Sequence, residues 1–190
     1  HKERKLLEVL QKIGGSAIVY VNTRKRAKQI AHWLYQNHVS VDFYHAGLNH
    51  KERIHKQENW VHGRTRVIVA TNAFGMGINK ADVQVVVHMD LPENLEAYYQ
   101  EAGRAGRNEK KAYAVAICNQ SDIEQLRERI KNAMPEIKVI KEVYQMLGNY
   151  FQLANGSFPD KAFPFDHQDF ASRFNKHPLQ VFNALRMLQE

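Results

Sequence analysis

Cysteine is nearly missing from this chain: Cys118 is the single one in 190 residues. That count excludes a disulfide framework and a four-cysteine zinc site, and it fits a reducing, cytosolic setting. No uncharged apolar run approaches the roughly 18 residues that a membrane span needs, and no signal peptide is visible. No glycine is followed by lysine, so the phosphate-cradling pattern GxxxxGK[ST] is absent. Methionine does not occur before Met76. The chain is therefore expected to be an excised piece of something longer.

What is present looks like a soluble, folded, basic protein. Hydrophobic residues make up 44% and charged residues 25%, values that leave little room for extensive disorder. The formal net charge is +7, which favours an anionic partner. Ten histidines add positive charge below about pH 6.5. His45, His50 and His55 suggest a metal site, but a spacing of five turns about 140° per step on a helix, so they share no face.

Apolar strands alternate with amphipathic helices along most of the chain. A helix over Lys5–Lys12 ends at Gly14 and Gly15, and AIVYV (Ala17–Val21) reads as a strand buried on both faces. Thr23 caps a helix over Arg24–Asn37, with Ala27, Ile30, Ala31 and Leu34 on one stripe. Further strands are expected at Val39–Tyr44, Arg66–Ala70, Val83–His88 and Tyr113–Cys118, the last burying Cys118. Helices are expected at His50–Val61, Asn94–Ala105 and from a Ser121 cap to Ile130. In His50–Val61 the spacing of Ile54, Gln57, Glu58 and Val61 suits a helix. This alternation predicts an α/β fold with a parallel sheet covered on both faces.

After Pro135 the strand signals stop. Helices are expected at Glu136–Leu153, Asp166–Phe174 and Pro178–Leu188, with Pro178 suited to the first helical position. The expected division is 1–134 for the α/β part and 135–190 for a helical appendage.

One stretch, YYQEAGRAGRNEK (Tyr98–Lys110), carries unusual chemistry. On a helix through Arg107, the residues Gln100, Arg104 and Arg107 would share a face. Gly103 and Gly106 each cost on the order of 1 kcal/mol in a helix interior, so they need a compensating reason. Two guanidiniums aimed one way suit bidentate recognition of phosphate. A solvated, arginine-rich helix end is the alternative. Upstream, VIVATNAFGMGINKADVQVVVH places a glycine-containing loop directly after a buried strand, where parallel sheets bind ligands.

With AIVYVNTRKRAKQIA, YHAGL, VIVATNAFGMGINKADV and YYQEAGRAGR in this order, the chain resembles the C-terminal RecA-like lobe of RecQ-family superfamily 2 helicases. The resemblance covers roughly residues 5 to 130. It implies a P-loop NTPase-type lobe of an ATP-dependent DNA helicase that moves 3′ to 5′ in replication, recombination and repair. The expected location is cytoplasmic, and nucleoid-associated if the source is bacterial. Arg107 would be the arginine finger, Arg104 its partner on the phosphates, and Gln100 would fix their geometry.

Gly77 and Asn79 would approach the nucleotide. The family often has Asp where Asn79 stands, so no role resting on charge carries over there. ATP and Mg2+ would be held mainly by an N-terminal lobe of the same parent, since this chain lacks both the cradle and an acidic DExH box. Alone, it is expected to be inactive.

Single-stranded and duplex DNA are the implied partners, through Asn22, Arg24, Lys25, His45, Thr71 and Asn72. The turn at Val21–Arg24 would offer backbone N–H groups to an anion. The four-cysteine zinc module that often follows this lobe is not expected here, and 135–190 would instead begin a winged-helix-like unit. Pro178–Leu188 is then either a DNA-facing helix or a cap packed through Val181, Leu185 and Leu188. Another superfamily 2 enzyme acting on RNA, or a basic module that only binds nucleic acid, remains an alternative.

Overall fold

The computed structural model describes residues 1–75, 80–154, 156 and 162–189. By their contacts these form two compact units, His1–Asp122 and Ile123–Glu190, with the division falling inside one helix.

The first unit is a parallel five-stranded sheet in the order β2-β3-β1-β4-β5. Its strands are β1 (Ser16–Tyr20), β2 (Val41–Tyr44), β3 (Val67–Ala70), β4 (Val83–His88) and β5 (Tyr113–Ala116). The three inner strands are almost wholly buried, which is why their sequences run as continuous valine and isoleucine rather than alternating. One face packs on α1 (Lys2–Lys12) and α2 (Arg24–Gln36) through Leu6, Leu10, Ala27, Ile30 and Leu34. The other face packs on α3 (His50–Val61) and the loop after β3, through Trp60, Phe74 and Tyr44.

Local capping follows the sequence. Thr23 accepts from the Arg26 N–H at the start of α2, and Asn49 with Glu52 closes a reciprocal capping box on α3. On α3 the anchor is Trp60, fully buried, with its indole N–H donating to the Ala17 carbonyl at 3.2 Å. Ile54, on the same helix, is 44% exposed.

Three expectations are corrected. Helix α4 runs only from Leu95 to Ala102 and does not reach Arg104 or Arg107. Its end is set by Gly103, where a Cβ would sit 2.8 Å from the Tyr99 carbonyl oxygen, and by Gly106 at φ +76°. Cys118 is exposed, because β5 is an edge strand that stops at Ala116, and only Ile117 of the adjoining pair turns into the core. The cap of α5 (Gln120–Ala133) is Asn119 rather than Ser121: Asn119 and Asp122 exchange side chain-to-backbone hydrogen bonds at 2.7 and 3.0 Å.

The second unit contains α6 (Ile137–Phe151), α7 (His167–Arg173) and α8 (Pro178–Gln189) around buried Val143, Phe170, Ala171, Val181 and Ala184. Residues 174–177 join α7 to α8, with Asn175 in the left-handed region at φ +49°. Of the residues expected to pack α8 as a cap, Val181 is buried and Leu185 half-buried, whereas Leu188 is exposed.

Candidate functional site

The carboxyl ends of β1, β3 and β4 open together onto one cleft. Tyr20 ends β1, Ala70 leads into Thr71 and Asn72, and His88 leads into Met89 and Asp90. A cavity of about 160 Å³ lies there, with Asn22, Asn72, Asp90, Glu93 and Glu101 among its walls. Parallel packing forces this convergence, since every strand then ends at the same rim.

Asp90 is the residue that sequence patterns did not single out. Its carboxylate accepts from the Asn22 N–H at 2.9 Å and pairs with Arg26 Nη1 at 3.0 Å. The turn after β1 therefore does bind an anion through its backbone, but that anion is the protein's own aspartate. The Val21 N–H is likewise taken, by the Ala70 carbonyl, and the Arg26 N–H by Thr23.

Arg104 is half-buried at the first turn past α4, with Nη1 donating to the Gly75 carbonyl at 2.6 Å. Its Nε is buried, with no hydrogen-bond partner among the described residues. Gly75 has φ +149°, and a Cβ there would collide with the guanidinium. The second glycine partner of this motif thus lies in the loop after β3, not in the arginine stretch itself. Arg107 is exposed and Gly106 N–H donates to the Val83 carbonyl at 3.0 Å, stitching the arginine turn to the start of β4. Gln100 is exposed and bonds back to Glu96 at 3.2 Å along α4. Because the helix ends first, the three side chains do not form a helical face; the turn, not periodicity, sets their directions. Gly77 and Asn79 lie outside the described residues.

Beneath Arg104 sits a buried polar layer. Tyr20 Oη donates to the Phe74 carbonyl at 3.0 Å. His88 stacks on Tyr20 with ring centroids 5.6 Å apart, and its Nε2 meets Glu101 Oε2 at 2.8 Å. Burial pushes the Tyr20 hydroxyl well above its ordinary range, with Arg104 partly opposing that shift.

The other nucleic-acid candidates fall in different places. Asn22 and Asn72 share the cleft. Thr71 is buried, its N–H bonded to the Tyr44 carbonyl at 3.2 Å. Lys25 lies along a separate groove between α1 and α2 with Arg4 and Trp33. Arg24 lies over Gly47, where a Cβ would come within 2.7 Å of Nη1. His45 is only 3% exposed, and neither ring nitrogen has a hydrogen-bond partner among the described residues. Burial lowers its pKa, and the neighbouring Lys28, Arg24 and Lys56 push it further down. Among the described residues no group of three His, Cys, Asp or Glu side chains could hold a metal ion, and no helix is long and apolar enough to cross a membrane.

A parallel sheet with its rim carrying paired arginines and a glycine loop defines a RecA-like helicase lobe. Residues 1–109 match the helicase conserved C-terminal domain. The chain belongs to that family and, within it, to the RecQ group of superfamily 2. It is 46% identical over 114 residues to an ATP-dependent DNA helicase RecQ of Pasteurella multocida, covering 60% of this chain and 18% of that protein. It is also 45% identical over 107 residues to a putative ATP-dependent RNA helicase of Acanthamoeba polyphaga mimivirus, covering 56% and 20%. The solved DEAD-box protein SrmB of E. coli superposes with TM-score 0.62 at 26% identity, covering 72% of this chain and 80% of that one. The chain spans about a fifth of the length of the two sequence relatives.

Proposed function

We propose that this chain is the C-terminal motor lobe of an ATP-dependent DNA helicase that moves 3′ to 5′, in which Arg107 and Arg104 act on ATP held mainly by a second lobe. Replication, recombination and repair are the processes such an activity would serve. The observation that carries this is Arg104, pinned through Nη1 on the Gly75 carbonyl at the rim of the parallel sheet. Fixed in direction by its Nη1 contact, the guanidinium suits charge-assisted recognition of a triphosphate, and the residues here fit that group. Mg2+ and the phosphate cradle would be supplied mainly by the other lobe, as the likeness to RecQ helicases implies.

ATP, when bound, supplies the phosphoryl group whose transfer drives movement. This chain's part is electrostatic. Arg107 would meet the charge that develops on the terminal phosphate, and Arg104 would hold the neighbouring oxygens. Gln100 would support Arg107, and Gly77 and Asn79 would approach the nucleotide. Asn22, Asn72, Arg24, Lys25, His45 and Thr71 would line or support the nucleic-acid track, with contacts to the phosphate backbone that do not depend on sequence.

A second reading, RNA as the strand, is favoured by the viral relative, which is named as an RNA helicase. Both are tested by Arg107→Ala in the full-length protein. The expected outcome is a loss of stimulated ATPase of about 10³-fold or more with affinity for the strand kept. Retained ATPase would reject the finger role, and stimulation by RNA but not DNA oligonucleotides would replace the DNA reading by the RNA one.

A further inference from the structure

We propose that Tyr20 is a positioning residue whose hydroxyl couples the nucleic-acid loop after β3 to Arg104. This rests on the reading of Arg104 just given. Tyr20 and Arg104 hold neighbouring peptide units of one loop: the phenol donates to the Phe74 carbonyl at 3.0 Å, and the guanidinium donates to the Gly75 carbonyl at 2.6 Å. That loop begins with Thr71 and Asn72, the candidates for strand contact, and the Phe74 N–H closes it by donating to the Thr71 carbonyl at 3.0 Å. A displacement of Asn72 by a bound strand is therefore passed through three residues of tight turn to the carbonyl on which Arg104 rests.

The other side of the circuit is closed as well. Tyr20 pairs directly with His88 across β1 and β4, and the two rings stack at an interplanar angle of 21°. His88 bonds to Glu101 at 2.8 Å, on the helix that delivers Arg104. Tyr20 thus touches both supports of the arginine. Its ring is 3% exposed, and a phenylalanine would fill the same apolar space. What packing alone leaves unexplained is the hydroxyl, which is retained in a buried place where it is tolerated only because it is hydrogen-bonded. The lack of a side chain at Gly75 brings the loop and the guanidinium into direct contact, so little slack remains between them.

The test uses Tyr20→Phe in the full-length protein carrying this lobe, with oligothymidylate as the strand. The stimulated kcat for ATP should fall about fivefold, the scale of one lost hydrogen bond. The oligothymidylate concentration giving half-stimulation should move less than about twofold, because strand binding itself is left intact. In parallel, the Arg104 Nε–H resonance, assigned in a ¹⁵N-labelled protein, should shift on adding oligothymidylate to the unaltered protein and stay in place in the variant. An unchanged kcat, or a fall in kcat matched by an equal loss of strand affinity, would overturn the coupling. Arg104→Ala separates the two ideas: if it keeps full ATPase, the role given to Arg104 is wrong. If it abolishes ATPase while Tyr20→Phe changes nothing, only the coupling falls.

Discussion

Arg104 and Gly75 show how one side chain and one missing side chain make a contact together. The glycine sits at φ +149° with the guanidinium filling the space a Cβ would need. Gly75→Ala is expected to destabilise the first unit by about 1–3 kcal/mol, from backbone strain and the displaced arginine. Urea denaturation measures the first effect, and the stimulated ATPase of the full-length protein should fall with it. Stability equal to that of the unaltered protein would mean that the loop relaxes without cost. The arginine pair could be found from sequence because GRAGR is an unusual string. Its partner could not, because a glycine 29 residues upstream has no local signature that ties it to Arg104. Asp90 escaped notice for the same reason: it reads as an ordinary loop acid until β1 and β4 are laid side by side.

Among the elements, α4 departs most from what its pattern suggests. The spacing of Gln100, Arg104 and Arg107 suggests a helix running through its glycines, yet Gly103 and Gly106 end it, and the backbone then turns back to β4 through Gly106. Propensity argued for this ending, and the apparent i, i+4, i+7 face argued against it; propensity prevailed.

Strand β2 carries a second consequence into His45, which sits beyond Tyr44 in an all-cationic setting of Lys28, Arg24 and Lys56. Burial and these charges hold the folded-state pKa below the ordinary 6.5. The unfolded chain therefore takes up this proton first. His45 leaves stability untouched above about pH 6.5 and lowers it progressively as the pH drops beneath that value. His45→Phe should flatten the dependence of urea stability on pH between about 6.5 and 5. An unchanged slope would show that the imidazole titrates normally.

Helix α8 is amphipathic in an unusual sense. Val181 and Ala184 face its core, while Leu179, Phe182 and Met187 stand outward as exposed apolar residues. Arg186, in the last turn of the same helix, is exposed as well.

At the level of the whole molecule, the absence of a phosphate cradle sets a firm expectation. The 190-residue chain, purified by itself, should show no ATP hydrolysis above background with or without oligothymidylate, measured by phosphate release. Stimulated turnover would refute the division of labour between two lobes. The sequence by itself determined a great deal here. Continuous apolar strands between amphipathic helices specified the parallel sheet, because strands buried on both faces have no polar positions to alternate. Caps such as Thr23 and Asn49 act within one turn of chain and are legible for that reason.

Tertiary structure alone decided what distant segments do to one another. It ended β5 at an exposed edge and left Cys118 in solvent, buried Trp60 as the anchor of α3, and committed the backbone donor at Asn22 to Asp90. It also set Tyr20, His88 and Glu101 beneath Arg104. Side-chain periodicity records which way a residue faces on its own element, whereas these contacts depend on which strands become neighbours, and that is fixed only when the sheet assembles.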